Sequence, residues 1–475
     1  MRAQNKSYEI DMTHGPLTGK IILFTLPLVF SGLLQLFFNA ADIIVVGQFA
    51  SAHAVAAISS TSSLINMLIG LFLGIGVGVN VLVAHFFATH KDRDVSETVH
   101  TAICASLIAG IFLTFVGILF ARPLLVAMDS PDDVIDKSVL YLRIYFSAMT
   151  ANIIYNTGSA ILRAVGDTKR PLFILTISGI INVLLNLLTV IYFHMDVAGV
   201  GLATSASLFV SAALVLRCLL FTEASYRFDP KKLRITPAKL KQILQIGLPA
   251  GLQSVVFSVS NVLIQSSVNS FGSMAMAGNG AAANIEGFVY IAMDAFYHAC
   301  MTFTSQNYGV LDMKRVRKVA VICQVMVIIT GLTLGGLAFF FAKPLLAIYV
   351  SDATAISTGV MRISIICTLY FICGSMCVLC GTLRGLGSAV IPMITSLVGA
   401  CAVRILWIFT VFQIPAYHSL KTLYISYPIS WGLTALAHLI YYYFLRKKIR
   451  LQIAALREKR TEAEPPPPLN RKLKI

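Results

Sequence analysis

Polar side chains are scarce in the apolar stretches of this chain, and the few found there carry its candidate chemistry. Asp42 lies deep in the run Gly19–Phe49. Ser31, Gln35, Asn39 and Asp42 follow one another at steps of four, four and three, so they share one helix face. A charged Asp at the centre of a spanning helix costs about 2.5–3.5 kcal/mol on insertion scales. An intramembrane acid is therefore a functional-site hypothesis, with a helix-capping or interhelical hydrogen-bonding role as its alternative. Asn182 and Asn186 are one turn apart and face the same way. With Thr204 and Asp42 they supply oxygen atoms of the kind that hold a proton or a small cation such as Na+. Glu286 and Asp294 are eight apart, with Tyr290 between them and Tyr297 beyond. That acidic, aromatic face suits lipophilic cations through burial and cation–π attraction. The alternative for Glu286 is a water-contacting position near the outer end of its helix.

Other motifs lead nowhere. Gly15-Pro-Leu-Thr-Gly19-Lys20 is one residue short of a P-loop and continues with Ile21. Gly74, Gly76 and Gly78 lie inside an apolar helix with no preceding strand, where close helix packing explains them. Cys373, Cys377 and Cys380 have cluster-like spacing but sit in an apolar span. No Ser/His/Asp or Glu-x-x-His arrangement stands out. The sequence reads as a non-enzyme with no cofactor, beyond H+ or Na+ as a coupling ion.

The elements that position these residues are membrane spans. The chain is 57% hydrophobic and 12% charged, against about 25% charged for ordinary soluble domains. Twelve apolar spans are expected, at 20–47, 54–82, 96–121, 136–158, 171–193, 198–221, 241–270, 277–305, 316–341, 359–381, 391–413 and 421–445. The formal charge of +16 collects in alternate connections, including Lys91/Arg93, Arg163/Lys169/Arg170, Arg227–Lys241, Lys314–Lys318 and Arg384. That pattern places both termini in the cytoplasm of a cell-membrane protein, and it is topology rather than nucleic-acid binding. The remaining connections are poor in Lys and Arg, and Asp129–Asp136 is acidic.

The chain also repeats. Leu26-Pro27 meets Leu248-Pro249, Phe120-Ala-Arg-Pro meets Phe341-Ala-Lys-Pro, and Leu162-Arg163 through Pro171 meets Leu383-Arg384 through Pro392, at an offset of about 221. Six spans fit in one repeat, so the halves share a topology and the expected fold is all-α. It comprises two six-helix bundles related by an axis along the membrane normal, with a pathway between them. The expected divisions are an N-terminal segment 1–18, a first lobe 19–221, a linker 222–240, a second lobe 241–448 and a basic, proline-rich tail 449–475. In the tail, Ile449, Ile453 and Leu456 share a face that either lies on an anionic leaflet or extends the last helix. A single chain suffices for this plan, with membrane lipid as its surroundings.

Taken together, the spans, the repeat, Pro27 followed by Gln35, Asp42 and Gly47, the segment Leu162–Pro171 and the exit Gln306-Asn307-Tyr308-Gly309 resemble the multidrug and toxic compound extrusion (MATE) transporters. The resemblance covers the chain to about Lys448. It implies Na+- or H+-driven efflux of drug-like organic cations by alternating access. It also implies that Asp42 matches the acid that binds the coupling cation, and that Asn182 and Thr204 match other members of that site. Many members have a second carboxylate where this chain has Asn186, a departure that weakens the case for Na+. Glu286 resembles an acid in the eighth span of some relatives. Pro27 is the expected bend point of the first helix. Gln35, Asn39, Glu286, Tyr290 and Asp294 are the expected substrate-cavity residues. A flippase for a lipid-linked saccharide is the transport alternative, separable by counting arginines in the cavity. A non-transporting membrane scaffold is the other.

Overall fold

A computed structural model describes residues 8–49, 52–127 and 132–463. Asp129, within the acidic connection, and the proline run Pro465–Pro468 lie outside the described residues, as does the side chain of Leu456.

The apolar runs form twelve helical rods. These are α1 (Leu17–Phe49), α2 (Ala52–Ala88), α3 (Asp92–Ala127), α4 (Asp132–Ser147 and Met149–Ala164), α5 (Lys169–Asn186, continued by a π-turn Leu187–Tyr192) and α6 (Asp196–Leu220). The second series is α7 (Pro237–Asn269), α8 (Ser273–Gly309), α9 (Met313–Phe340, then Ala342–Ala347), α10 (Ala353–Ile366 and Tyr370–Gly385), α11 (Val390–Ser396, a π-turn Leu397–Ala402 and Val403–Phe409) and α12 (Leu420–Ala463). Most rods run several residues past the expected spans. Hydropathy marks only the hydrocarbon crossing, whereas helical hydrogen bonding continues into the interface. Among the described residues eight helices are apolar enough by composition to cross a membrane, and nine with the bent pair in α10. The rods α4, α8 and α12 fall short because they are interrupted or carry charge. The last helix does not stop near residue 448. It continues to Ala463, and Ile449 is buried against the start of α9, which favours the helix-extension reading of the tail.

Both halves carry the same irregularities. α4 breaks at Ala148 and α10 just before Tyr370, one repeat length later, where the two segments of α10 bend by 48°. Gly166 and Gly387 each take a positive φ, of 94° and 82°, in the turn that ends these rods. In each turn the glycine N–H returns to the carbonyl of the preceding arginine, Arg163 or Arg384. Large apolar side chains such as Phe112, Phe115 and Leu119 on α3 stay exposed, as a lipid-facing surface requires.

The lobes meet most closely in the half toward the face that carries Lys91, Arg93 and Lys241, and α1 also packs on α8 past mid-length, where the Phe37 and Phe288 rings lie 6.2 Å apart. Gly74 and Gly78 of α2 lie against Gly247 and Gly251 of α7 so closely that a methyl at Gly74 would fall on the Gly251 backbone. This is the small-residue packing read from Gly74–Gly78, and its partner is a second glycine pair at the same spacing. Among the described residues, the hydrogen bonds that join the lobes also lie on this half. Thr302 donates to Asn80 Oδ1 (3.0 Å), Ser305 to the Val81 carbonyl (2.6 Å) and Gln306 to the Ala164 carbonyl (2.8 Å). Lys239 reaches Asp94 at 2.5 Å.

The polar segment before α1 is built into this seam. Met12 is wholly buried, and its carbonyl accepts from Asn307 (3.1 Å) and Arg315 (3.1 Å) in the second lobe. Ile10 lies where any side chain on Gly166 would go, and Tyr8 packs beside the Arg170 guanidinium, both against the first lobe. Asp11 closes the turn by accepting from the Thr13 and His14 N–H groups. Burial alone would raise its carboxyl, but bonds from Thr13, the Lys20 charge and the His14 N–H outweigh it and lower its pKa to about 2.

Candidate functional site

The first lobe gathers the four residues singled out for cation coupling. Asn186 on α5 donates through Nδ2 to Asp42 Oδ1 of α1 at 2.5 Å. The same Nδ2 lies 3.4 Å from Asn182 Oδ1, and Asn182 Nδ2 lies 3.4 Å from Thr204 Oγ1 on α6. Asn182 and Asn186 are buried, and Asp42 and Thr204 are half-buried. The Asn186 Oδ1 atom is buried with no hydrogen-bond partner. A carboxylate, an unpartnered amide oxygen and further amide and hydroxyl oxygens are a donor set for a proton or a monovalent cation. Among the described residues no group of three His, Cys, Asp or Glu side chains could hold a metal ion. Immediately after Asn186 the helix widens into a π-turn, a distortion frequent at functional sites. Tyr141 on α4 couples electrostatically to Asp42. Sequence reasoning missed this residue because α4 was read only as a span.

Gln35 and Asn39 are exposed on the face that leads to Asp42. Pro27 is buried in a helix that continues through it, and its carbonyl accepts from Ser31 Oγ at 2.8 Å.

The second lobe corrects several expectations. Glu286 is not a water-contacting residue at a helix end. It is buried and bound by both ends of the Arg362 guanidinium, at 2.7 Å each. A bidentate ion pair uses up its charge, so Glu286 is not a free anion for an organic cation. Arg362 Nη1 also donates to Asn279 Oδ1 (2.6 Å), and Asn279 donates to Gln265 Oε1 (2.9 Å). Arg384 is not a loop residue facing the cytoplasm. It turns back into the lobe, buried, and donates to Tyr297 Oη (2.6 Å) and Gln253 Oε1 (2.9 Å). Arg163, its repeat counterpart, is likewise drawn inward, toward Tyr155 and Asp294. Buried arginines therefore stand beside the acids within the spans. Arg362 and Arg404 fell within the expected tenth and eleventh spans, and their positions alone could have flagged them.

Tyr290 and Asp294 keep the open role assigned to them. Tyr290 is 43% exposed and faces Cys373 and Cys377 of α10, so it lines an internal cleft. The Asp294 side chain is 41% exposed and sits 3.5 Å from His298 Nε2.

Against this geometry, residues 27–188 and 249–410 each match the MatE family model. The chain belongs to the MatE family. The matched segments are the two repeats, and the MatE fold is the twelve-helix, two-lobed membrane architecture described above. The chain is 26% identical over 435 residues to a probable multidrug resistance protein of Bacillus subtilis, YoeA, covering 90% of this chain and 93% of that one. It is 23% identical over 352 residues to an FAD transporter of Shewanella oneidensis, covering 71% and 76%. A crystal structure of a MATE in complex with MaD3S superposes with a TM-score of 0.86 at 17% identity, covering 96% of this chain and 100% of that one. MatE membership makes the chain a multi-pass membrane transporter whose homologues include multidrug efflux proteins.

Proposed function

We propose that the chain is a cation-coupled secondary antiporter that exports drug-like amphiphiles by rocking its lobes, residues 19–221 and 241–448, about the cleft between them. The basic face is then cytoplasmic, with both termini on that side. The lobes are sealed there by the glycine seam, so the conformation described is open to the outside. The observation that carries the reading is the short Asn186–Asp42 contact beside an unpartnered Asn186 oxygen. A proton on Asp42, or a small cation between the Asp42 and Asn186 oxygens, satisfies both atoms at once and changes how α1 packs on α5. Pro27 leaves the carbonyl one turn before it without a helical donor, which makes α1 the element best suited to bend in response. The presence of multidrug and FAD transporters among the relatives means that the family alone does not fix the charge of the substrate.

The test is dye or drug flux in proteoliposomes under an imposed Na+ gradient or an imposed pH gradient, for wild type and Asp42→Asn. We expect one gradient to drive wild-type flux and Asp42→Asn to lose it. A Na+ response assigns the four-residue cluster to Na+, and a pH response assigns Asp42 to a proton. Full gradient-driven flux by a well-folded Asp42→Asn protein overturns the mechanism. The flippase alternative gains one observation, the three buried arginines of the second lobe. It predicts instead that lipid-linked pyrophosphates, and no soluble solute, move across.

A further inference from the structure

The second lobe holds a positive charge with no carboxylate to balance it. Arg404 on α11 is 6% exposed. Its Nε donates to Ser430 Oγ at 2.8 Å, and among the described residues its two terminal nitrogens have no protein acceptor. Its guanidinium lies 4.2 Å from the centre of the Tyr427 ring and 5.6 Å from that of Trp431. Arg362 approaches the same Tyr427 ring at 5.7 Å. Two guanidinium groups thus flank one tyrosine while a single carboxylate, Glu286, serves only one of them. Arg384 adds a third buried cation whose partners are neutral. A buried unpaired charge is strongly unfavourable, and more so in a chain surrounded by lipid. Cation–π attraction to two rings offsets only part of that cost.

The surroundings are aromatic and, like Arg404, buried. The Tyr370 and Trp431 rings meet edge to face at 5.3 Å, and Tyr427 meets Trp431 at 5.7 Å. Tyr370 lies beside Tyr290, the exposed ring in the cleft wall. Free guanidinium donors beside aromatic rings match a molecule that carries an anionic group on a planar aromatic body.

We propose that Arg404, with Arg362, Tyr370, Tyr427 and Trp431, forms a binding site for the anionic head of an aromatic solute, such as a phosphate or carboxylate. This names the substrate class for the transport path proposed above and rests on that reading only for its use in transport. Glu286 holds Arg362 in place, and Arg404 supplies the free donors.

The test is equilibrium binding to the full-length protein in neutral detergent, with no ion gradient, followed by flavin fluorescence anisotropy. The probes are flavin mononucleotide, which carries a phosphate, and riboflavin, the same ring without it. Ethidium and phosphatidylglycerol-doped micelles serve as competitors. We expect flavin mononucleotide to bind at least about tenfold more tightly than riboflavin, as a charge-assisted guanidinium–phosphate contact should give. R404Q should erase that preference, and R404K should keep part of it. Wild-type flux that neither ion gradient drives, with the flavin preference retained, would thus fail the antiport reading alone. Equal binding of the two flavins overturns the proposal in the unmodified protein, even if R404Q does not fold. Displacement by ethidium as readily as by unlabelled flavin mononucleotide overturns the anionic assignment. Displacement by phosphatidylglycerol that depends on Arg404 assigns the site to a lipid headgroup and overturns the aromatic solute.

Discussion

The two lobes are built on one scaffold and bury different charged groups. In the first, Asp42 meets the Asn186 amide and, among the described residues, no cationic side chain. In the second, the repeat places Ile264 or Gln265 opposite Asp42, and Gln265 joins through Asn279 to Arg362. The shared features are those of backbone: the prolines, the break in the fourth rod of each half, and the positive-φ glycines. The features that differ are side chains buried in the spans. The repeat therefore fixes where a polar group can be presented, and the side chain placed there fixes what it attracts. If one lobe holds the coupling cation and the other an anionic group, the two do not compete for one carboxylate. Exchange then has to be transmitted through the movement of helices.

Removing the first lobe's only carboxylate in that cluster should have the largest effect. Asp42→Asn is expected to bring gradient-driven flux in proteoliposomes to background while thermal stability holds or rises, because a buried charge is lost. Disturbing the second lobe's ion pair should act on stability. Glu286→Gln strands Arg362 and is expected to cost about 3–5 kcal/mol, seen as a fall in melting temperature in detergent. Glu286→Gln with Arg362→Met should recover much of it, and failure to recover would mean that Glu286 acts beyond the pair. Gly74→Val at the seam should destabilise by about 1–3 kcal/mol through overpacking and expose the basic-side half of α7 to hydrogen exchange. Gly47→Ala, with open space around it, should do neither. The smallest effect concerns Asp11. Its carboxyl sits near 2, below its ordinary value of 3.8, so its contribution is complete above about pH 4 and fades as pH falls toward 2. Protection factors at the Thr13 and His14 amides, taken against the intrinsic exchange rate at each pH, should fall over that window and hold between pH 5 and 8.

The first lobe was more legible than the second, for a physical reason. Asn182 and Asn186 lie one turn apart, and Asp42 ends a polar stripe over three turns, so periodicity alone put them on faces able to meet. Glu286 and Arg362 are 76 residues apart on different rods, and no local pattern relates them. Arg384 was misread because a charge at a span end ordinarily points to water, whereas this side chain turns back to Tyr297. The glycines of α2 were read correctly as a packing face, but the matching pair on α7 emerged only when the rods were placed. Met12, in a polar segment with no apolar period, is buried because its side chain joins the apolar core with second-lobe residues and its carbonyl accepts from Asn307 and Arg315.

That last residue sets a limit on how far the molecule can move. Ile10 is seated on the first lobe and Met12 on the second, and two residues of chain reach at most about 7 Å. The arm has no slack. The basic-side ends of the lobes cannot separate widely while both anchors hold, so each opening toward that face must unfasten one of them. The chain also returns from Met12 to Leu17 at the head of α1, so the second-lobe anchor, with its bonds from Asn307 and Arg315, is the one placed to let go. If the lobes rock as proposed, the N-terminal arm is a latch that must release before that face opens, and its strength belongs to the timing of transport rather than to its chemistry.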